Sequence, residues 1–324
     1  MKKQLILATC AAMLTLVGCQ ETEVSKGTGL TQPELQAASH LPPPANFSDV
    51  SSPAGRVALA PTKYITQVFE YSPAPGQFIN KLPVYAAGNN AAAMAAKAAT
   101  ALVGKTNGLV CLGAFGGYIV VGFDHTIANV TGKDFKVYGN AFADWSEAGI
   151  VMVSRDVNGN GLPDDVWYEL AGSEYSNVNT IHNYSITYTK PSPLNADVPW
   201  TDNQGNSGVV KRNSFHTQAS YYPQWQGNTI TFTGTRVWPN AYDSDPSATE
   251  HWVAPAYAWG YTDNVVNTDT NATFDISWAV NASGTPVTLT GIDFVKVYTA
   301  TIQDAGWLGE VSTEIAGIED INIP

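Results

Sequence analysis

Three cysteines in 324 residues leave almost no scope for covalent cross-linking. Cys10 falls inside an N-terminal apolar run and Cys19 at its end, so Cys111 is the only free thiol expected in the mature chain, and no internal disulfide can form. A folded part of roughly 270 residues can instead hold together by core size and by bound metal. Charge is also scarce. Only 14% of residues are charged, the formal net charge is −12, and no block of Lys or Arg is present, which argues against nucleic acid as a partner. His125, His182, His216 and His251 are scattered, with neither an HExxH pattern nor a cysteine partner. A GxSxG elbow and an internal repeat are missing as well, so serine-hydrolase chemistry and propeller or solenoid folds lack their signatures. The remaining catalytic candidates are Asp243, Asp245 and Glu250, which could supply paired carboxylates for glycoside hydrolysis. The expectation is nevertheless a binding protein and not an enzyme.

The N-terminus sets the compartment. Lys2 and Lys3 precede an apolar run from Leu5 to Val17, which ends in Leu16-Val17-Gly18-Cys19. Such a run is shorter than the ~20 residues a spanning helix needs. It reads as a lipoprotein signal peptide (1–18) cleaved before Cys19, which then carries the lipid. Residues 19–58 are rich in Thr, Ser, Gln and Pro, include Pro42-Pro43-Pro44, and read as a flexible tether. Glu21 and Glu23 resemble the export signals of surface lipoproteins in Bacteroidetes-like bacteria, which implies the outer membrane and the cell surface.

Oxygen-bearing side chains cluster from Asp156 to Asp165 (DVNGNGLPDD). Hard cations such as Ca²⁺ take six to eight oxygens, and Asp156, Asn158 and Asn160 occupy positions 1, 3 and 5 of a calcium-type loop. Gly161 marks the turn, the Leu162 carbonyl follows, and Asp164 falls at position 9. Trp167 stands where an EF-hand has its bidentate Glu, so Asp165 or Glu169 must close the shell. The flanks, Gly149 to Ser154 and Val166 to Leu170, are apolar or β-branched, so this loop joins two strands. A bare Asx-rich turn is the competing explanation. Asp124, Asp134, Asn140 and Glu147, all next to strand ends, are candidates for a second cation site.

The rest reads as mainly β: a jelly-roll-like β-sandwich over residues 59–324 with one Ala-rich helix at Asn89 to Val103. Strands are expected at Tyr118 to Phe123, Phe135 to Tyr138, Ile150 to Val153, Ser185 to Thr189, Thr229 to Thr233, Thr273 to Val280, Val287 to Leu289 and Phe294 to Thr299. Pro191 to Gly227 is expected to form long ordered loops. Nine Trp and 15 Tyr are present, and their densest stretch, Tyr221 to Tyr261, is broken by prolines. Rings on proline-stiffened loops make a rigid platform. The candidate ligand residues are Trp225, Trp238, Tyr242, His251, Trp252 and Trp259.

Gly116-Gly117, Gly122-Phe123-Asp124, Asp134-Phe135, Gly139-Asn140 and Glu147 before Ile150-Val151 carry a resemblance to a jelly-roll family of bacterial anchored surface proteins. YSPAPGQFIN, WYELAGSEY, IDFVKVYTA and GWLGEVSTEI extend it over most of residues 60–320. The chain is similar to Bacteroidetes cell-surface lipoproteins, including accessory lipoproteins of cobamide (vitamin B12) uptake systems. The resemblance implies a cobamide ligand and an outer-membrane TonB-dependent transporter as partner. A glycan-binding module is the alternative, because sandwiches host both functions.

Overall fold

The computed structural model describes residues 60–324 apart from Pro246, Ala248 and Thr249. The signal peptide, Cys19 and the tether lie outside the described residues. No helix of the described chain is long and apolar enough to cross a membrane.

A six-stranded antiparallel sheet runs through the middle, in the order Gln67–Ser72, Tyr118–Ala128, Gly291–Thr299, Gly149–Ser154, Trp167–Leu170, Ala279–Val280. Its strands are apolar on both faces. Ile119, Val121, Val151, Val153, Val295 and Val297 point into one core, and Tyr118, Ile150, Met152 and Tyr298 into another. Period-2 geometry sorts neighbouring residues to opposite faces, so runs such as GIVMVS look continuously hydrophobic because both faces are covered.

On one face packs a four-stranded sheet, ordered Thr229–Arg236, Ile181–Thr189, Val198–Asp202, Ser207–Val210. This is the sandwich. Its seam is aromatic: Phe115 meets Tyr184 edge-on at 5.0 Å, and Tyr118 meets Phe232 at 6.1 Å. The opposite face holds the helix Ala91–Leu102 and a small sheet of Thr273–Phe274, Phe135–Tyr138 and Gly317–Asp320. Asn90 caps the helix by accepting from the Ala93 N–H at 3.0 Å, and Met94, Ala95, Ala98 and Leu102 form its buried stripe. The fold is thus a mainly β sandwich with a single Ala-rich helix, as expected, and the helix and small sheet cover the outer face of its central sheet.

Three segments depart from the sequence reading. Pro191 to Gly227 is not all loop, because it contributes the hairpin Val198–Asp202 and Ser207–Val210 to the four-stranded sheet. Pro199, which disguises the first strand, lies opposite Val209 and beyond the stretch paired with Ile186 to Tyr188, so its missing N–H breaks no second ladder. The expected strand from Thr273 to Val280 is cut by a 3₁₀ turn at Ile276–Trp278, started by the Asp275 side chain accepting from Ser277 N–H. Val287 and Leu289 pack against the core without forming a strand.

Candidate functional site

Two places gather oxygen-bearing side chains. The first is the loop Asp156 to Asp165, which joins Gly149–Ser154 to Trp167–Leu170 as the sequence implies. Gly159 and Gly161 sit at φ 72° and 73°, a conformation that glycine tolerates best. The Asp156 carboxylate accepts from the backbone N–H groups of Gly159, Asn160 and Gly161 at 2.7–3.1 Å. Asp165 accepts from Val157 N–H at 2.9 Å, while the Asn158 and Asn160 amides donate to Asp164 at 3.1 and 2.9 Å. Asp156, Asn158, Asn160, Asp164 and Asp165 are thus tied into one exposed loop, with Leu162 beside them. Glu169 is excluded from it. Its Oε2 accepts from the Thr235 hydroxyl at 2.7 Å, so of Asp165 and Glu169 only Asp165 belongs to the loop.

Burial pushes the Glu169 carboxyl up to about 7, against the lowering effect of the Thr235 and Tyr298 hydroxyls. An acid whose folded value lies above its unfolded one (~4.3) favours the fold most below that lower value, and the advantage is lost as pH rises towards 7. Glu169→Gln should therefore flatten the decline in melting temperature between pH 5 and pH 8, measured by calorimetry at each pH.

The second place was only half legible. Glu147, Asp263 and Glu314 bring carboxylate oxygens within 4.8 Å of one another, and this cluster could hold a metal ion. Asp263 and Glu314 are buried, at 3% and 2% exposure, whereas Glu147 keeps a partly open edge. Asn140 closes the group from the surface side. Turned with its nitrogen inward, its amide donates to Asp263 at 3.2 and 3.3 Å and to Glu314 at 3.3 Å; turned the other way, it presents a fourth oxygen to a cation.

Backbone interactions fix this geometry. Asp263 adopts φ 50°, a region that Asp visits more readily than most residues but still sparingly. Its Oδ1 accepts from Asn140 and Ala141 N–H at 2.7 and 2.8 Å, and its Oδ2 from Glu314 N–H at 2.8 Å. The Glu147 N–H donates to the Asp263 carbonyl at 2.8 Å. Gly139 leaves room, since a Cβ there would collide with the Asp263 carboxylate. Burial and then repulsion from Glu314 and Asp263 push Glu147 well above the carboxylate range. Burial, with Asp263 adding repulsion, pushes Glu314 up to about 8, and burial pushes Asp263 up to about 7. Buried like charges with no cation beside them resist ionisation. A divalent ion would remove that resistance, and an all-oxygen donor set selects a hard one.

Of the four residues expected to form a second cation site, Asn140 and Glu147 meet here. Asp134 does not. It is wholly buried and accepts from Val130 and Ile276 N–H at 2.8 and 2.7 Å. Asp124 pairs with His125 at 2.9 Å. Asp263 and Glu314 carried no local motif, and only tertiary folding brings them to Glu147. Cys111, fully buried, lies nearby with its thiol 3.4 Å from the Ser312 hydroxyl.

The six aromatic and histidine candidates do not form one platform. Trp225 packs against the core between Tyr71 and Tyr85, each at 5.9 Å. Trp238 packs against the other core, donating from Nε1 to Glu174 at 2.8 Å and meeting Tyr257 edge-on at 5.6 Å. Tyr221, Tyr222, Tyr257 and Tyr261 are buried. Proline-broken sequence suggested surface loops, but these loops fold back over the four-stranded sheet and spend most of their rings on packing. Trp259 stays exposed and lies 4.7 Å from Trp278. Tyr242, His251 and Trp252 come together on a two-stranded ribbon, Tyr242–Asp243 with Trp252–Val253. Asp243, Asp245 and Glu250 sit in and beside that ribbon in local bonds: Asp243 accepts from Asp245 and His251 N–H, Asp245 from the Ser247 hydroxyl, and Glu250 from Trp252 Nε1.

No family model matches the chain, and no curated protein matches it.

Proposed function

We propose that this protein is a lipid-anchored binding protein of the outer-membrane surface, stabilised by Ca²⁺ and built to capture a cobamide for an outer-membrane TonB-dependent transporter. Cys19 is the lipidation site in this reading, and no catalytic step is assigned. Ca²⁺ is the ion proposed for both the Asp156–Asp165 loop and the carboxylate cluster, because each offers only oxygen. The observation that carries binding is the persistence of large exposed rings. Tyr242 is 53% and Trp259 38% exposed in a fold that buries most of its other tyrosines. The choice of cobamide rests on the sequence resemblance over residues 60–320.

Calorimetric titration of the chain lacking residues 1–19 with cyanocobalamin, in saturating calcium, tests this reading. Tight 1:1 binding is expected, and no heat at micromolar concentrations would sink it. A glycan-binding function is the second reading, favoured by the exposed Trp259 beside Trp278, a pair that offers a sugar ring an apolar face. A panel of neutral oligosaccharides titrated in parallel separates the two.

A further inference from the structure

Beside the ribbon lie two adjoining cavities of about 180 and 330 Å³, which share Lys211 and Asp304 in their walls. Together they form a cleft between the end of Ser207–Val210 and the segment from Ile302 to Glu310. Its rim is aromatic. Trp307 is 43% exposed and Phe215 71%, and their rings meet at 6.0 Å and 75°. Trp307 is held in place, its Nε1 donating to the Glu250 carbonyl at 3.2 Å and its own carbonyl accepting from Asn213 at 2.8 Å. On the ribbon side Trp252 lies so close to Gly306 that a Cβ there would strike its indole nitrogen. Ring orientation is therefore fixed before any ligand arrives, which lowers the entropic cost of binding.

The walls contain polar atoms without partners among the described residues. Glu310 is 4% exposed and lines the smaller cavity; its Oε1 accepts from Gln77 N–H at 2.8 Å, but Oε2 is buried with no hydrogen bond. Arg212 lines the larger cavity and stacks over Tyr221 at 5.3 Å, and its Nη1 is likewise buried and unpaired. Buried polar groups seldom stay unsatisfied, and each one left so is costly. Charges across the cleft offset one another, with Lys211 lying 3.7 Å from Asp304 and Arg212 sharing a cavity with Glu250.

We propose that this cleft is the ligand site, and that it takes an uncharged ring-bearing ligand edged with primary amide or hydroxyl groups. Balanced charge disfavours an ionic ligand. A fixed indole offers a face for a ring. The unpaired Arg212 donor calls for an acceptor and Glu310 for a second polar partner, and amides and hydroxyls supply donors and acceptors together. The cavities are too small to engulf a corrinoid, so they hold one amide-bearing edge of it, or one or two sugar residues. This inference rests on the binding reading above.

Titrations with cyanocobalamin, maltohexaose and cellohexaose test it on the wild-type chain without residues 1–19 and on Trp307→Ala, Arg212→Met and Val178→Ala, with circular dichroism confirming that each variant is folded. The probe that binds wild type identifies the source of the ligand. Affinity for it should fall about tenfold or more in Trp307→Ala and Arg212→Met and stay unchanged in Val178→Ala, whose side chain is exposed and lies outside both cavities. Wild-type affinity in both cleft variants would overturn the cleft while leaving the binding function standing. Silence of wild type towards every probe would overturn both.

Discussion

Glu314→Gln should raise the melting temperature of the metal-stripped protein at pH 8 and lower that of the calcium-loaded protein. In the stripped protein Glu314 must either carry a charge beside Asp263 and Glu147 or hold a proton at a pH where the unfolded chain would release it. Its folded value of about 8 lies above the unfolded ~4.3. The stability linked to this group is therefore present in full below pH 4 and is lost as pH rises through 8. Glutamine holds no such proton, and it can still accept from the Ser312 hydroxyl, which lies 3.1 Å from Glu314 Oε1. The gain should be on the order of 2 kcal/mol, or about 4–8 °C for a fold of this size. With calcium the sign reverses, because the variant gives up a charged ligand to the ion while the native residue is relieved of repulsion. Asp263→Ala should differ in kind. It removes the acceptor for three backbone N–H groups and should destabilise the protein with or without metal. Differential scanning calorimetry in chelator and in millimolar calcium reads all of these effects, and a Glu314→Gln shift of the same sign in both buffers would contradict a metal role for the cluster.

Asp156→Ala should cost more in calcium than in chelator. Without metal it removes the acceptor for the N–H groups of Gly159, Asn160 and Gly161 in an exposed loop, where water can replace it. Losses at comparable helix caps are about 1 kcal/mol. With metal it also removes a charged ligand. A site at 100-fold excess of ion over Kd contributes about 2.7 kcal/mol, and most of that should disappear. The melting-temperature deficit should therefore be some two to three times larger in calcium. Equal deficits in both buffers would leave the loop as an Asx turn that needs no ion.

The contrast between these two sites shows what the sequence can disclose. The loop was legible because its oxygens fall within ten consecutive residues, at a spacing set by backbone geometry alone. The cluster was not. Asn140 and Glu147 could be named as acids and amides next to strand ends, but Asp263 reaches them through a 3% exposed backbone turn at φ 50°, and Glu314 from a two-residue strand paired with Val110–Cys111. Neither leaves a local pattern. The fold class was legible from period-2 runs, and the helix from its alanines and the Asn90 cap. What failed were the places where tertiary contacts outvote local signals: Pro199 in a strand, and the tyrosines of the 221–261 stretch turned inward under loops. The cleft residues Lys211 and Arg212 sit far from Trp307 in the chain. Their shared surface exists only because the hairpin that Pro199 disguises lies beside the 302–310 segment.

The central claim is that this β-sandwich is a calcium-stabilised scaffold, and calorimetric titration of Ca²⁺ into the metal-stripped chain lacking residues 1–19 tests it most directly. Two ions per chain should bind, one lost in Asp156→Ala and the other in Glu314→Gln. The absence of calcium heat at millimolar concentration, with no change in melting temperature, would contradict it.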